Sequence, residues 1–104
     1  MHTEISRLQA ELGALCRRHG VARLEVFGSA ARGVNFEASR SDADFLVTFT
    51  PAARNDLGSL MDFKAALETL LGRSVDLVER EAVEASRNYI RRRRILAEAQ
   101  PVYG

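Results

Sequence analysis

Residues 27–47 read FGSAARGVNFEASRSDADFLV, and the reading of this stretch decides the fold. A strand-like run stops at Gly28, small residues follow, and a second strand begins at two aspartates, Asp42 and Asp44, set one residue apart. An unpaired carboxylate beside an apolar core is costly. Two of them at the mouth of the apolar run that starts at Phe45 therefore need a compensating partner. Side chains alternate along a strand, so Asp42 and Asp44 point to the same side and can share a ligand.

Upstream, ARLEVFG (22–28) alternates and then halts at glycine, which predicts a strand. Before it, Ile5, Leu8, Leu12 and Leu15 recur at spacings of three and four, predicting an amphipathic helix over 4–18 that stops near Gly20. Cys16 flanks that stripe and reads as a small buried hydrophobe, with His19 at the helix end. Downstream, DADFLVTF (42–49) is the strongest strand and Pro51 ends it. Leu60, Phe63, Leu67, Leu70 and Leu71 predict a second helix over 59–71, closed by Gly72, with Ser59 and Asp62 resembling a capping box and Asp56 competing as cap. SVDLVE (74–79) predicts a third strand. A last helix is expected near 86–99, with Ile90, Leu96 and Ala97 on one side, and PVYG offers a short final strand. The fold class is α/β (α+β): a small mixed sheet of three to four strands with flanking helices, in the order α-β-β-α-β-α. The strands at 42–49 and 74–79 enclose a helix and so can form a parallel β-α-β unit.

Bulk numbers bound the answer. The chain has 104 residues, which suits one domain spanning 1–104, with 46% apolar and 28% charged residues. A net charge of +1 gives no whole-protein argument for nucleic acid, although Arg87 and Arg91 to Arg94 concentrate positive charge near the end. One cysteine excludes an internal disulfide, the N-terminus lacks a signal-peptide core, and no apolar run reaches the length of a membrane span. A cytoplasmic protein without membrane contact is the expectation.

The chemistry follows from the carboxylates. Asp76 sits early in the third strand, and parallel pairing with the second strand brings it beside Asp42 and Asp44 at one end of the sheet. Three converging carboxylates repel unless a cation joins them. Oxygen ligands without His or Cys suit Mg²⁺ or Mn²⁺, and Mg²⁺ completes its shell with waters and substrate phosphates. The Gly28–Ser29 turn offers backbone N–H groups and a hydroxyl, Gly28 allows close approach of a phosphate, and Arg32 can add a fork of charged donors. Metal ligands on one side and phosphate donors on the other are what phosphoryl transfer needs.

FGSAARG, SDADFLV and SVDLVE, in that order, resemble the minimal nucleotidyltransferases of the DNA polymerase beta-like superfamily, from about residue 20 to the closing RNYIRRRRILAEAQPVY. The resemblance implies a palm-like fold and a Mg²⁺-dependent transfer of AMP from ATP. It implies that Gly28 and Ser29 contact phosphates, that Asp42 and Asp44 bind two metal ions, and that Asp76 helps bind the catalytic metal and draws the proton from the acceptor hydroxyl. The seven residues between Gly33 and Ser41 are slightly more than the family pattern leads one to expect. Stand-alone proteins of this size are similar to antitoxins paired with HEPN-domain ribonuclease toxins, whose tyrosine receives the AMP. A chain this short has no room for a separate acceptor domain, so another chain is expected to complete the acceptor site.

Other readings stay open. A non-catalytic antitoxin would neutralise its partner by binding alone, and a transferase for a small molecule or an RNA end would use the same motifs. Arg91, Arg92, Arg93 and Arg94 cover a full helical turn and read as a solvated face whose stems cover the core edge; contact with triphosphate, RNA or an acidic partner is the sharper alternative. Tyr89 and Tyr103 are expected to pack in the interior with bonded hydroxyls rather than to accept AMP themselves. The base of the nucleotide is not encoded in any assignable residue.

Overall fold

A computed structural model of the chain describes residues 3–28, 43–54 and 56–104. Of the residues singled out above, Ser29, Arg32 and Asp42 lie outside these, as does His2.

The N-terminal helix is divided in two, α1 (Thr3–Arg7) and α2 (Gln9–Arg18), with a turn at Leu8. The hydrogen-bond ladder nevertheless continues past the break, from Leu8 N–H to Glu4 O and from Leu12 N–H to Leu8 O. Its stripe packs as the periodicity predicts, with Ile5, Leu12 and Cys16 fully buried and Leu8 and Leu15 at the margin. Strands β1 (Val21–Phe27) and β2 (Ala43–Phe49) follow, then α3 (Leu57–Leu71), β3 (Val75–Glu79), α4 (Arg80–Glu84), α5 (Tyr89–Glu98) and β4 (Gln100–Tyr103).

Asp56, not Ser59, caps α3. Its carboxylate accepts from Gly58 N–H at 2.9 Å and from the Ser59 hydroxyl at 3.0 Å, so the helix starts two residues before the expected position. Gly72 ends it in the left-handed conformation, φ +66°. The expected helix near 86–99 is α5, starting at Tyr89, and the unexpected short α4 precedes it across a bend at 85–88. Asn88 caps α5 through Arg91 N–H.

The strands form one mixed sheet in the order β3-β2-β1-β4. β1 is antiparallel to both β2 and β4, and β2 runs parallel to β3, the pairing that the β-α-β pattern predicts. Helices α1, α2 and α3 cover one face, over Leu24, Val26, Phe45 and Val47. The short α4 and α5 cover the other, where Val83 and Ile95 meet Phe27 and Leu46. Burial on both faces explains why FLV in β2 is uninterrupted rather than alternating.

The apolar face of α5 is turned from the expected one. Ile95, Leu96 and the following Ala99 meet the sheet, while Ile90 is 77% exposed. Tyr89 is likewise 54% exposed rather than buried, and its hydroxyl accepts from Arg93 Nη1 at 2.9 Å. Tyr103 is half-buried. No described helix is long and apolar enough to cross a membrane.

Candidate active site

Antiparallel pairing of β1 with β2 and parallel pairing of β2 with β3 have one geometric consequence. The C-terminal end of β1 and the N-terminal ends of β2 and β3 meet at the same edge of the sheet. Phe27 stands opposite Asp44, and Asp44 stands beside Asp76 in the β2–β3 register. Neighbouring strands lie about 4.8 Å apart, and register partners project to the same face. The two carboxylates therefore share one face and one edge, 32 residues apart in sequence (76 minus 44).

Local structure fixes each member. Glu68 of α3 accepts the Val75 N–H through Oε2 at 2.9 Å, and Ala43 N–H donates to Ser74 O at 3.1 Å. These two bonds set the start of β3, and hence the position of Asp76 as its second residue. Asp76 is exposed and Asp44 half-buried. Gly28 turns the chain at φ +70° immediately after β1. A Cβ there would lie 2.6 Å from Asp44 Oδ2, too close for any other residue unless the carboxylate moves. Glycine thus answers to both backbone conformation and space at this point.

The edge opens into a cleft of about 380 Å³. Gly28, Asp44 and Asp76 line its sheet side, and Arg91, Arg94 and Glu98 of α5 line the other. Arg94 Nε lies 3.7 Å from a Glu98 oxygen. A second hollow of about 420 Å³ lies between α2 and α3, lined by Leu15, Ala66 and Leu70 with Glu11 and Arg18 at its rim. It gathers none of the motif residues.

The donors present suit a hard cation. Asp44 and Asp76 offer oxygen only, and among the described residues no group of three or more His, Cys, Asp or Glu gathers as a metal cage. The two-carboxylate set with an open side matches the way Mg²⁺ is held, by one or two carboxylates with the remaining positions left to water and phosphate. Asp42, expected as a further ligand, lies outside the described residues, as do the expected phosphate contacts Ser29 and Arg32.

Arg91 and Arg94 line the cleft, on the side of the sharper alternative for the arginine run, whereas Arg92 and Arg93 do not. Arg80 went unread in the sequence. Arg80 covers the same face of the sheet. Its Nη1 donates to both carboxylate oxygens of Glu25, at 2.6 and 2.7 Å, and Nε to Glu84 at 3.2 Å. The hydrogen bond to Glu25 raises the Arg80 pKa, against an opposing effect of burial. Glu25 is 3% exposed, a buried charge in β1 that Arg80 satisfies and that Arg23 approaches at 3.5 Å.

Residues 11–99 match the nucleotidyltransferase domain family. The chain belongs to that family, and within it to the minimal nucleotidyltransferase type. A solved structure of a candidate minimal nucleotidyltransferase is 38% identical and superposes with a TM-score of 0.69, over 97% of this chain and 96% of that one. A candidate protein adenylyltransferase of Methanocaldococcus jannaschii is 35% identical over 74 residues, 71% of this chain and 75% of its own. Two more distant structures share the fold. A toxin–antitoxin complex with AMP-PNP is 18% identical with a TM-score of 0.67, over 92% of this chain and 73% of that one. A complex of a tri-AMPylated Shewanella oneidensis HEPN toxin with its antitoxin is 16% identical with a TM-score of 0.63, over 96% and 72%.

Proposed function

We propose that this nucleotidyltransferase moves AMP from ATP to a tyrosine hydroxyl of a HEPN-domain toxin, in the cytoplasm and with Mg²⁺, and so acts as the toxin's antitoxin. The observation that carries the reading is the shared edge of Gly28, Asp44 and Asp76. It sets two carboxylates beside a glycine turn at the mouth of an open cleft. The likeness to a candidate protein adenylyltransferase supports the choice of a protein acceptor, and the fold shared with toxin–antitoxin complexes supports the choice of partner.

In this reading the acceptor oxygen attacks the α-phosphorus of ATP. The new O–P bond forms as the bond from that phosphorus to the bridging oxygen breaks, and pyrophosphate leaves with the electron pair. Asp76, exposed at the open edge, takes the hydroxyl proton. Asp44 and Asp76 would hold Mg²⁺, with Asp42 proposed as a further ligand, and the bound ion would supply neutralising charge for the phosphates. Gly28 lets the backbone approach the nucleotide, Ser29 adds a hydroxyl and Arg32 a charged donor.

The test joins the chain to the proposed HEPN-domain partner, with Mg²⁺ and ATP, and reads the partner's intact mass and modified residue. The expected result is AMP on a partner tyrosine, lost with Asp44→Asn. If the Asp44→Asn/Asp76→Asn chain still silences the toxin at equal abundance while no AMP is transferred, neutralisation is by binding and the catalytic reading fails.

A further inference from the structure

The four consecutive arginines of α5 do not form one charged stripe. Arg92 Nη1 donates to Ser86 O at 3.2 Å, and its guanidinium sits 5.8 Å from the Tyr89 ring centre. Arg93 bonds the Tyr89 hydroxyl and lies 5.5 Å from the same ring. Arg91 and Arg94 turn the other way. They are three residues apart on one helical face, and Ile95, 6% exposed, pins that face against Phe27 and Leu46. This places both guanidinium-bearing side chains across the cleft from Asp44 and Asp76.

We infer that Arg91 and Arg94 bind the β- and γ-phosphates of the nucleotide and then the departing pyrophosphate. The inference rests on the proposed function, since it assumes that the nucleotide lies in this cleft. An α-phosphorus held at the carboxylates leaves two further phosphates to be neutralised. The described sheet side of the cleft offers those phosphates acid residues and a glycine, and the opposite wall supplies positive charge in addition to Mg²⁺ and the proposed Arg32 contact. Arginine suits that task, because its planar fork pairs with phosphate oxygens through two bonds. Among the described residues no acceptor meets the Arg91 guanidinium. The Arg94–Glu98 pair is loose and solvent-facing, with the Arg94 side chain 73% exposed, so it yields readily to a phosphate. A nucleic-acid surface would want a continuous basic track. Here Arg92 and Arg93 are instead committed to Ser86 and Tyr89.

The experiment measures equilibrium binding of ATP, pyrophosphate and AMP, each with Mg²⁺, to the full chain by calorimetry. Arg91→Gln/Arg94→Gln is compared with wild type, with Arg93→Gln on the outer face, and with Arg91→Lys/Arg94→Lys. Each lost charge-assisted contact weakens ATP and pyrophosphate about tenfold, while AMP binding stays within about twofold. Arg93→Gln behaves as wild type, and the lysine variant recovers part of the loss because it keeps the charge without the fork. Circular dichroism checks that each variant remains folded, and the lysine variant carries the comparison if the glutamine variant does not. Unchanged pyrophosphate binding in the glutamine variant overturns the inference and leaves the two arginines to the acceptor protein. Equal weakening of ATP and AMP also overturns it. A wild-type chain that binds none of the three ligands takes down the proposed function as well, whereas tight wild-type binding without arginine dependence takes down the inference alone.

Discussion

Gly28 is where backbone and chemistry constrain the same residue. Its φ of +70° is one that side-chain-bearing residues rarely adopt, and its missing Cβ leaves space 2.6 Å from Asp44 Oδ2. Gly72 shares the conformation, at φ +66°, but a Cβ there meets nothing within 4 Å. Comparing the two separates strain from collision. Gly72→Ala should lower stability by about 1 kcal/mol and leave nucleotidyl transfer unchanged. Gly28→Ala should cost more in a urea melt, and by displacing the Asp44 carboxylate it should slow transfer on the order of 10²-fold. Gly28, Asp44 and Asp76 were all legible in the sequence, because the cost of unpaired carboxylates at a strand mouth singles them out. The collision itself was not legible. It depends on the β1–β2 register, which puts Phe27 opposite Asp44 and so brings the next residue against that carboxylate.

Among the elements, α3 and β3 act together. The helix is capped at Asp56 and closed at Gly72, and three residues before its end Glu68 reaches forward to the Val75 N–H. Glu68→Ala should cost about 1 kcal/mol for the lost hydrogen bond. Because Asp76 follows Val75, transfer should also fall by more than the unfolded fraction accounts for. Glu68→Gln, which keeps an acceptor, should restore most of both, measured by urea midpoint and by initial rate. The long elements were readable because their periodicity runs over several turns or a full strand, and the strand limits differ from the expected ones by a residue. α4 was not, since five residues carrying one buried apolar side chain, Val83, give no period to detect. That omission propagated. With one helix expected over 86–99, nothing in the sequence sets the rotation of α5: the expected inner face holds Ile90, whereas the structure buries Ile95. The placement of Arg91 and Arg94 beside the carboxylates follows from the bend at 85–88 and the Asn88 cap, which only tertiary structure reveals.

Taken entire, the molecule is a sheet buried on both sides whose candidate active site lies at one edge. The helical side is apolar, and Cys16 within it is fully buried, its thiol pKa pushed up from 9.0 to about 12 by desolvation, with Arg17 opposing weakly. The sign follows directly. Between those values the unfolded chain releases the thiol proton and the folded chain keeps it, so this contribution to stability is intact below about pH 9 and is lost as pH rises toward 12. Accordingly, iodoacetamide at pH 8 should leave Cys16 unmodified in the folded chain and modify it on denaturation, and Cys16→Ala should flatten the alkaline limb of the stability profile. The opposite side carries Glu25 and Arg80 within an otherwise apolar cluster, a pairing that 55 residues of sequence separation concealed.

The central claim is that the edge formed by Gly28, Asp44 and Asp76 transfers a nucleotidyl group. Its most direct test supplies the chain and the proposed HEPN-domain partner with ATP labelled either at the α- or at the γ-phosphate, with Mg²⁺ present or removed by chelation. Label from the α position should enter the acceptor protein and label from the γ position should leave as pyrophosphate, only with Mg²⁺, and Asp44→Asn or Asp76→Asn should abolish both. Incorporation of the γ label into protein, or α-label transfer that survives Asp44→Asn/Asp76→Asn, would contradict the account.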